Sequence, residues 1–491
     1  MNRERQKKTP LLTAIKKYMD SDTVPFDVPG HKMGRVGNDL SDLIGIKAFQ
    51  ADVNAPIGID NLYKGTGVIY EAESLFADAY DADYAIFLIN GTTSGIMMMI
   101  MGCVYAGEKV ILPRNVHKSA INALIVSGAI PVFVEPDYDH ELGIANGVTA
   151  ESYIEAMNEH PDAVAIFVIN PTYFGVCCDL ESLVKEAHKR NMIVMVDEAH
   201  GAHLHFHDEL PKSSMQCNAD IASLSMHKTC GSLTQSSALL IRGGRVDYMR
   251  IRKAYTMFGS TSPSHLLLAS LDAARKKMAL QGKRILKENL ILAEYARKKL
   301  NEIPGISVLD RTYCKEGNSG RFAFDETRLV IRVDGLRKSG FQVYKELRKD
   351  YNIQLELAET YLVLAILAIG STKRDVDRLI EAFEDMSRRS YLKGQRHRLP
   401  NLVYDYADIA ISPREAYFSD CKTIPIVSAE GQISCESVMI YPPGIPILIP
   451  GERITKNIID IYKYYVKAKG TIMSDSPVGN IRVVDSRKDE L

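Results

Sequence analysis

Lys228 is the residue on which chemistry in this sequence would turn. It closes Ser225-Met-His-Lys228, inside a polar stretch between two short apolar runs, 221–224 and 238–241, that read as strands. A lysine at the end of a buried strand is costly unless it is paired, exposed or used. One use is a Schiff base with an aldehyde cofactor, because desolvation lowers the amine pKa and frees its lone pair. Taken alone the motif is weak, and a solvated loop lysine is the plainer explanation. Upstream, Gly91-Thr-Thr-Ser-Gly95 lies between a strand-like and a helix-like run, where backbone N–H groups and hydroxyls can cradle a phosphate. An ordinary Ser/Thr helix cap would look the same. Asp197 follows the apolar run 193–196, where an unpaired carboxylate is expensive. It could hold a cationic ring nitrogen, or equally serve as a helix cap or core ion pair. His117 could lie flat on an aromatic ring, or be an ordinary structural histidine.

The elements that must position these groups repeat along the chain. Strand-like runs at 84–89, 109–112, 132–134, 165–169 and 193–196 alternate with helix-like runs, among them 150–159 capped by Thr149 and 180–190 capped by Asp179. Apolar strands alternating with amphipathic helices predict an α/β fold with a mostly parallel sheet covered on both faces. In such sheets ligands bind beyond the carboxyl ends of the strands, where the polar groups above fall. Before this pattern lie a helical run at 11–18 and a loop-like 24–34, whose prolines and glycines exclude regular structure and which carries His31 and Lys32. After it come helices over 264–281 and 284–302, then strands at 329–333 and 361–369 with helices at 341–350 and 374–389, a smaller α+β domain. The basic stretch 392–400 reads as a solvated linker. The predicted division is an arm at 1–48, a large domain at 49–282, a small domain at 283–392 and a C-terminal domain at 393–491.

Composition narrows the function classes. Lys+Arg 60 against Asp+Glu 61 leaves no global field to draw in nucleic acid or an anionic membrane. No apolar run is long enough to span a bilayer, and the first residues lead into no signal-type core. Eight scattered cysteines without metal-ligand spacing predict reduced thiols in a cytoplasm and no structural metal. The terminal Lys488-Asp-Glu-Leu491 spells a retrieval signal, which these features mark as coincidence.

Phosphate cradle, carboxylate and lysine, in that order on one sheet, together match what pyridoxal 5′-phosphate needs. The cradle anchors the phosphate, the carboxylate keeps the pyridine nitrogen protonated, and the lysine carries the aldehyde. Each plain explanation is respectable alone, but their joint occurrence in this order is much harder to reach by chance.

At this point the chain resembles the Orn/Lys/Arg decarboxylases, enzymes with the aspartate-aminotransferase type of fold. The pieces that carry the resemblance are Pro29-Gly-His-Lys32, Asn90-Gly-Thr-Thr93, Arg114-Asn-Val-His-Lys-Ser119, Asn170-Pro-Thr-Tyr173, Asp197-Glu-Ala-His200, Ser225-Met-His-Lys228, Thr261-Ser-Pro263, Tyr441-Pro-Pro-Gly444 and Pro450-Gly-Glu452. They cover nearly the whole chain. The likeness is to the compact arginine or lysine decarboxylases without an N-terminal receiver-like wing.

The resemblance implies roles for matching residues. Lys228 looks like the cofactor-bearing lysine, Asp197 the pyridinium partner, His117 the residue stacked on the ring and Ala199 the packing on its other face. Thr93, Ser94, Ser225 and His227 resemble phosphate-side ligands or lysine neighbours, and His200 joins the cofactor-side set. Ser260 and Thr261 fall where the family reaches the partner subunit's phosphate, which implies a homodimer with shared sites and room for a higher oligomer. Glu356 aligns with a glutamate facing the distal cation of the substrate. The implied reaction is decarboxylation of a basic L-amino acid, arginine before lysine or ornithine, toward polyamine synthesis. Lys228 itself or His227 is the candidate proton donor at Cα. Two features depart from the pattern: Asp60-Asn-Leu-Tyr63 where Asp-Asp-Leu-His is common, and Cys230 at an often apolar position. The first bears on substrate identity. Amino transfer, lyase or racemase chemistry on the same cofactor remains a rival, as does a non-catalytic homologue.

Overall fold

The computed structural model describes residues 1–314, 317–396, 408–441, 444–468 and 470–485. Pro442 and Pro443 of the motif at 441–444, residues 397–400 of the expected linker and the terminal 488–491 therefore lie outside the described residues. The chain divides into two compact units, Met1–Cys103 with Ile193–Glu288 and Val104–Met192 with Asn289–Leu491. It is a mixed α/β protein whose main sheet is largely parallel.

In the first unit the strands Tyr84–Leu88, Ser237–Ile241, Ile221–Leu224 and Ile193–Asp197 lie side by side in that order. Ile193–Asp197 and Ile221–Leu224 run parallel, while Ser237–Ile241 runs against both of its neighbours. This one reversal gathers several chain ends. Leu88 pairs with Ser237, Leu224 with Ala238 and Asp197 with Ser223, so Leu88, Asp197, Leu224 and Ser237 stand at one edge. All residues of 221–224 and 237–241 are buried, as apolar strands covered on both faces must be. Helix Gly91–Cys103 leaves this edge three residues after Leu88. It crosses the sheet at Gly95, where a Cβ would stand 2.3 Å from Ser223 Oγ and 2.7 Å from Leu88 Cδ1, so only glycine permits the approach.

The second unit carries the parallel strands Ala163–Ile169, Lys109–Pro113 and Ile130–Val134. It also holds an antiparallel sheet of Ser307–Val308, Arg328–Arg332, Leu362–Ile366 and Leu357–Ala358. Helices Gly340–Asp350 and Lys373–Ser390 bury Val343, Leu347, Val376 and Phe383 against it. Both begin with reciprocal capping boxes, at Ser339 and Thr372. A last core packs helix Lys456–Lys467 through Ile458, Ile461 and Tyr462 onto Val438, Ile447 and Ile481.

Some elements depart from expectation. The two helices expected over 264–281 and 284–302 are one continuous helix, His265–Asn301. Gly282, between the two expected helices, is buried where Phe206 Cβ would stand 3.0 Å from an added Cβ. Close packing, and no turn, selects glycine there. The sequence reading did not foresee helices Asp39–Ile44, Ile46–Ala51, Val68–Ala79, Tyr248–Phe258, Pro413–Phe418 and Lys456–Lys467. Segment 24–34 is irregular as expected, with consecutive positive φ angles at Lys32, Met33 and Gly34. None of the eight cysteines is in a disulfide, and six are buried. Burial pushes the Cys103 and Cys230 thiols up to about 12. Among the described residues no helix is long and apolar enough to cross a membrane.

Candidate active site

The first unit assembles the lysine, the carboxylate and the hydroxyls at the sheet edge just described. Lys228 does not extend its strand. It sits on the one-turn helix Met226–Thr229 that follows Leu224. Its Nζ lies 2.8 Å from His200 Nε2. An ammonium can only donate, so while Lys228 is charged His200 Nε2 is the acceptor and the imidazole proton belongs on Nδ1. His200 is buried and comes from the turn after strand Ile193–Asp197, which also supplies Asp197 and Ala199.

Asp197 is buried, and its Oδ1 accepts the Ala199 N–H at 3.1 Å. No guanidinium or ammonium of the described residues lies within 4 Å of it. Desolvation raises its pKa, opposed by the Ala199 hydrogen bond and by the charge of Lys228. A buried carboxylate in this state would be relieved by a cation, and a protonated pyridine nitrogen is one.

The hydroxyl side differs from the expected assignment. Thr93 is exposed, and Ser94 is buried with its Oγ donating to Gly91 O at 3.0 Å. The hydroxyl that meets the lysine turn is Thr92, buried and 3.3 Å from Ser225 Oγ. Ser225 is fully buried, 3.5 Å from Ser237 Oγ. Thr92, Ser225 and the N–H groups opening helix Gly91–Cys103 thus form the donor set that could hold a phosphate. The cradle was legible as a motif, while which hydroxyl turns inward depends on helix phase.

His227 donates from Nδ1 to Ser236 O at 2.9 Å, leaving Nε2 as its lone-pair nitrogen. Burial lowers its pKa, the Ser236 hydrogen bond opposes this, and Lys228 lowers it further. Glu198, to which sequence reasoning gave no part, is buried beside Asp197 and accepts the Ser214 N–H at 2.8 Å and Oγ–H at 2.6 Å. Burial pushes it up to about 7 against those hydrogen bonds, and the Asp197 charge adds to the rise. Its place in Asp197-Glu-Ala-His200 was the available signal. Ser260, half-buried, accepts the Ser262 N–H at 3.1 Å, and Thr261 is exposed. Neither makes a hydrogen bond to the Lys228 cluster.

The second unit holds the remaining expected residues. His117 caps helix Lys118–Ser127: its Nδ1 accepts the Ser119 N–H at 3.2 Å and lies 2.9 Å from Ser119 Oγ, so Nε2 carries the proton. Three residues earlier, Arg114 is buried and makes two parallel 2.7 Å bonds to Glu452, with a third at 2.9 Å to Pro446 O. Two motif pieces far apart in sequence are therefore one ion pair. Glu356 is half-buried and accepts the Tyr173 hydroxyl at 2.6 Å. Tyr173 stood in a quoted motif, but nothing in its spacing assigned it to Glu356.

Comparison with known proteins bears on this set. Residues 9–375 match the family model "Orn/Lys/Arg decarboxylase, major domain", and residues 398–475 match the C-terminal domain of the same family. An arginine decarboxylase of Bacillus subtilis is 43% identical over 98% of this chain and 99% of its own length. One of Bacillus anthracis is 40% identical over 99% of each. Among solved structures, the lysine decarboxylase LdcF of Francisella novicida is 22% identical. It superposes with a TM-score of 0.85 over 97% of this chain and 81% of its own.

Proposed function

Because the chain belongs to the Orn/Lys/Arg decarboxylase family, we propose that it removes the α-carboxylate of a basic L-amino acid, arginine first, using pyridoxal 5′-phosphate held on Lys228. The observation that carries this reading is the buried Asp197, which no guanidinium or ammonium of the described residues approaches within 4 Å, at the same sheet edge as the Lys228–His200 pair. When bound, the cofactor supplies an electron sink for the pair left as the Cα–carboxylate bond breaks. Asp197 keeps negative charge where that sink needs a proton held in place. His200 Nε2 can take the ammonium proton of Lys228 and release its amine. Ser225, Thr92 and the start of helix Gly91–Cys103 would hold the phosphate, with Ser94 and Thr93 on that side. His117 would face the ring with one surface, Ala199 with the other, as the motif pattern implies. Lys228 or His227 would return the proton to Cα.

Arginine is preferred for two reasons. The relatives at 40–43% identity are named arginine decarboxylases, and Glu356 offers the planar carboxylate that suits a guanidinium. The products would be agmatine and CO₂. The proposal extends to a cytoplasmic homodimer in which Ser260 and Thr261 serve the partner subunit, and to the division at residues 48, 282 and 392. Two measurements test it. Borohydride reduction with peptide mapping should place the pyridoxyl group on Lys228, and a label on Lys118 or Lys32 would refute the assignment. Product identification after incubation with arginine, lysine and ornithine should give agmatine at the highest kcat/KM; a higher value for lysine or ornithine overturns the arginine choice alone.

A further inference from the structure

Two glutamates flank the two-residue strand Leu357–Ala358. Glu356 takes the Tyr173 hydroxyl, whereas Glu359 and Phe174 line a cavity of about 50 Å³ in the second unit. Asn115, Tyr138, Ile440 and Ile445 stand among its other walls. Glu359 is nine-tenths buried, and its Oε2 accepts a neutral hydroxyl, that of Tyr465, at 3.2 Å. No guanidinium or ammonium of the described residues lies within 4 Å of it. Burial pushes Glu359 up to about 7 against the Tyr465 hydrogen bond and the Thr360 backbone. Near neutrality it is one proton from a buried anion without a counter-charge.

We propose that this cavity binds the head of a small organic cation, an alkylguanidinium or alkylammonium. The walls select that chemistry. Anions are repelled by Glu359, and an apolar guest would leave its carboxylate unsolvated. Bound water needs two to four polar partners, and the Ile-lined walls offer few. A hard metal ion needs about six oxygen ligands, more than one carboxylate and one carboxamide supply. An organic cation can be held by the carboxylate and by the aromatic side chains of Tyr138 and Phe174, which line the same space. Asn115 directs Nδ2 to Asn146 O at 3.4 Å, so its carboxamide oxygen can accept from the guest. The space exceeds what one water requires and suits a compact head.

Such a cation has two sources, the far end of the amino-acid substrate or a free amine; only this choice rests on the decarboxylase reading. The test uses the full-length holoenzyme with methylguanidine and methylammonium as probes, followed by thermal shift and by inhibition of turnover. The wild type should be stabilised by a probe, and Glu359→Gln should bind it at least about tenfold more weakly. Ala145→Leu, which fills the same cavity and keeps the carboxylate, should also lose the shift; it decides the matter if Glu359→Gln fails to fold. Competitive inhibition with a raised KM in Glu359→Gln assigns the site to the substrate. Non-competitive inhibition with KM unchanged assigns it to a free amine. Equal probe affinity in wild type, Glu359→Gln and Ala145→Leu overturns the proposal, whatever the enzyme decarboxylates.

Discussion

Asp197 can lose its charge while keeping its shape. In Asp197→Asn the side-chain oxygen can still accept the Ala199 N–H, so the turn should survive. What disappears is the negative charge beside the proposed ring nitrogen. The barrier should rise by about 3–4 kcal/mol, the scale of one lost preorganised electrostatic contact. A folded variant with kcat down by roughly two to three orders of magnitude is expected, read against an unchanged circular dichroism spectrum. Glu73 offers a different residue-scale test, of stability. It is buried, accepts the Phe87 N–H at 2.9 Å, and burial pushes it up to about 7, opposed by Phe87 and the charge of Arg252. The folded form holds the proton more tightly than the unfolded chain. Its stability contribution is therefore complete below about 4.5 and lost as pH rises through about 7. Glu73→Gln, which mimics the protonated form, should match the wild-type Tm at pH 4 and exceed it at pH 8. An identical difference at both pH values would contradict the assignment.

At the scale of elements, helix His265–Asn301 separates two readings of one stretch. If 264–281 and 284–302 were two helices, proline at 283 would sit in the joint and cost little. Within a continuous helix Lys283→Pro should cost about 3 kcal/mol, measured as a lower urea midpoint. The surface bridge from Lys283 to Asp208 is exposed and adds little to that loss. The sequence misled here because Gly282 carries the same letter whether it ends a helix or admits Phe206. Elsewhere local chemistry was enough. Thr149 and Asp179 announced helices Ala150–Glu159 and Leu180–Lys189 because a capping side chain is read from adjacent residues. Val68–Ala79 has no side-chain cap to announce it, since Gly67 precedes it. At the site, Lys228 and Asp197 were legible because a charge at the end of an apolar strand stands out. Thr92, Tyr173 and Glu198 were not, because their partners Ser225, Glu356 and Ser214 lie 133, 183 and 16 residues away.

The whole molecule closes its second unit through Arg114 and Glu452, 338 residues apart and each about 1% exposed. Removing one partner leaves the other charge buried, so Glu452→Ala should cost about 3–5 kcal/mol in urea unfolding. Replacing both, as in Arg114→Met with Glu452→Leu, should recover much of that loss, because no orphaned charge remains. Additive losses in the double variant would argue that the pair does more than neutralise itself. The unbridged thiols carry a consequence of another kind, for how the protein ages. Oxidants and alkylating agents attack thiolate, and the buried Cys103 and Cys230, held near 12, present almost none at neutral pH. Eight cysteines therefore overstate the chemical fragility of this chain. Its wear in an oxidising medium should begin at the partly exposed Cys421, ahead of Cys314, whose thiol burial pushes up to about 11, and reach the others only as the cores around them open.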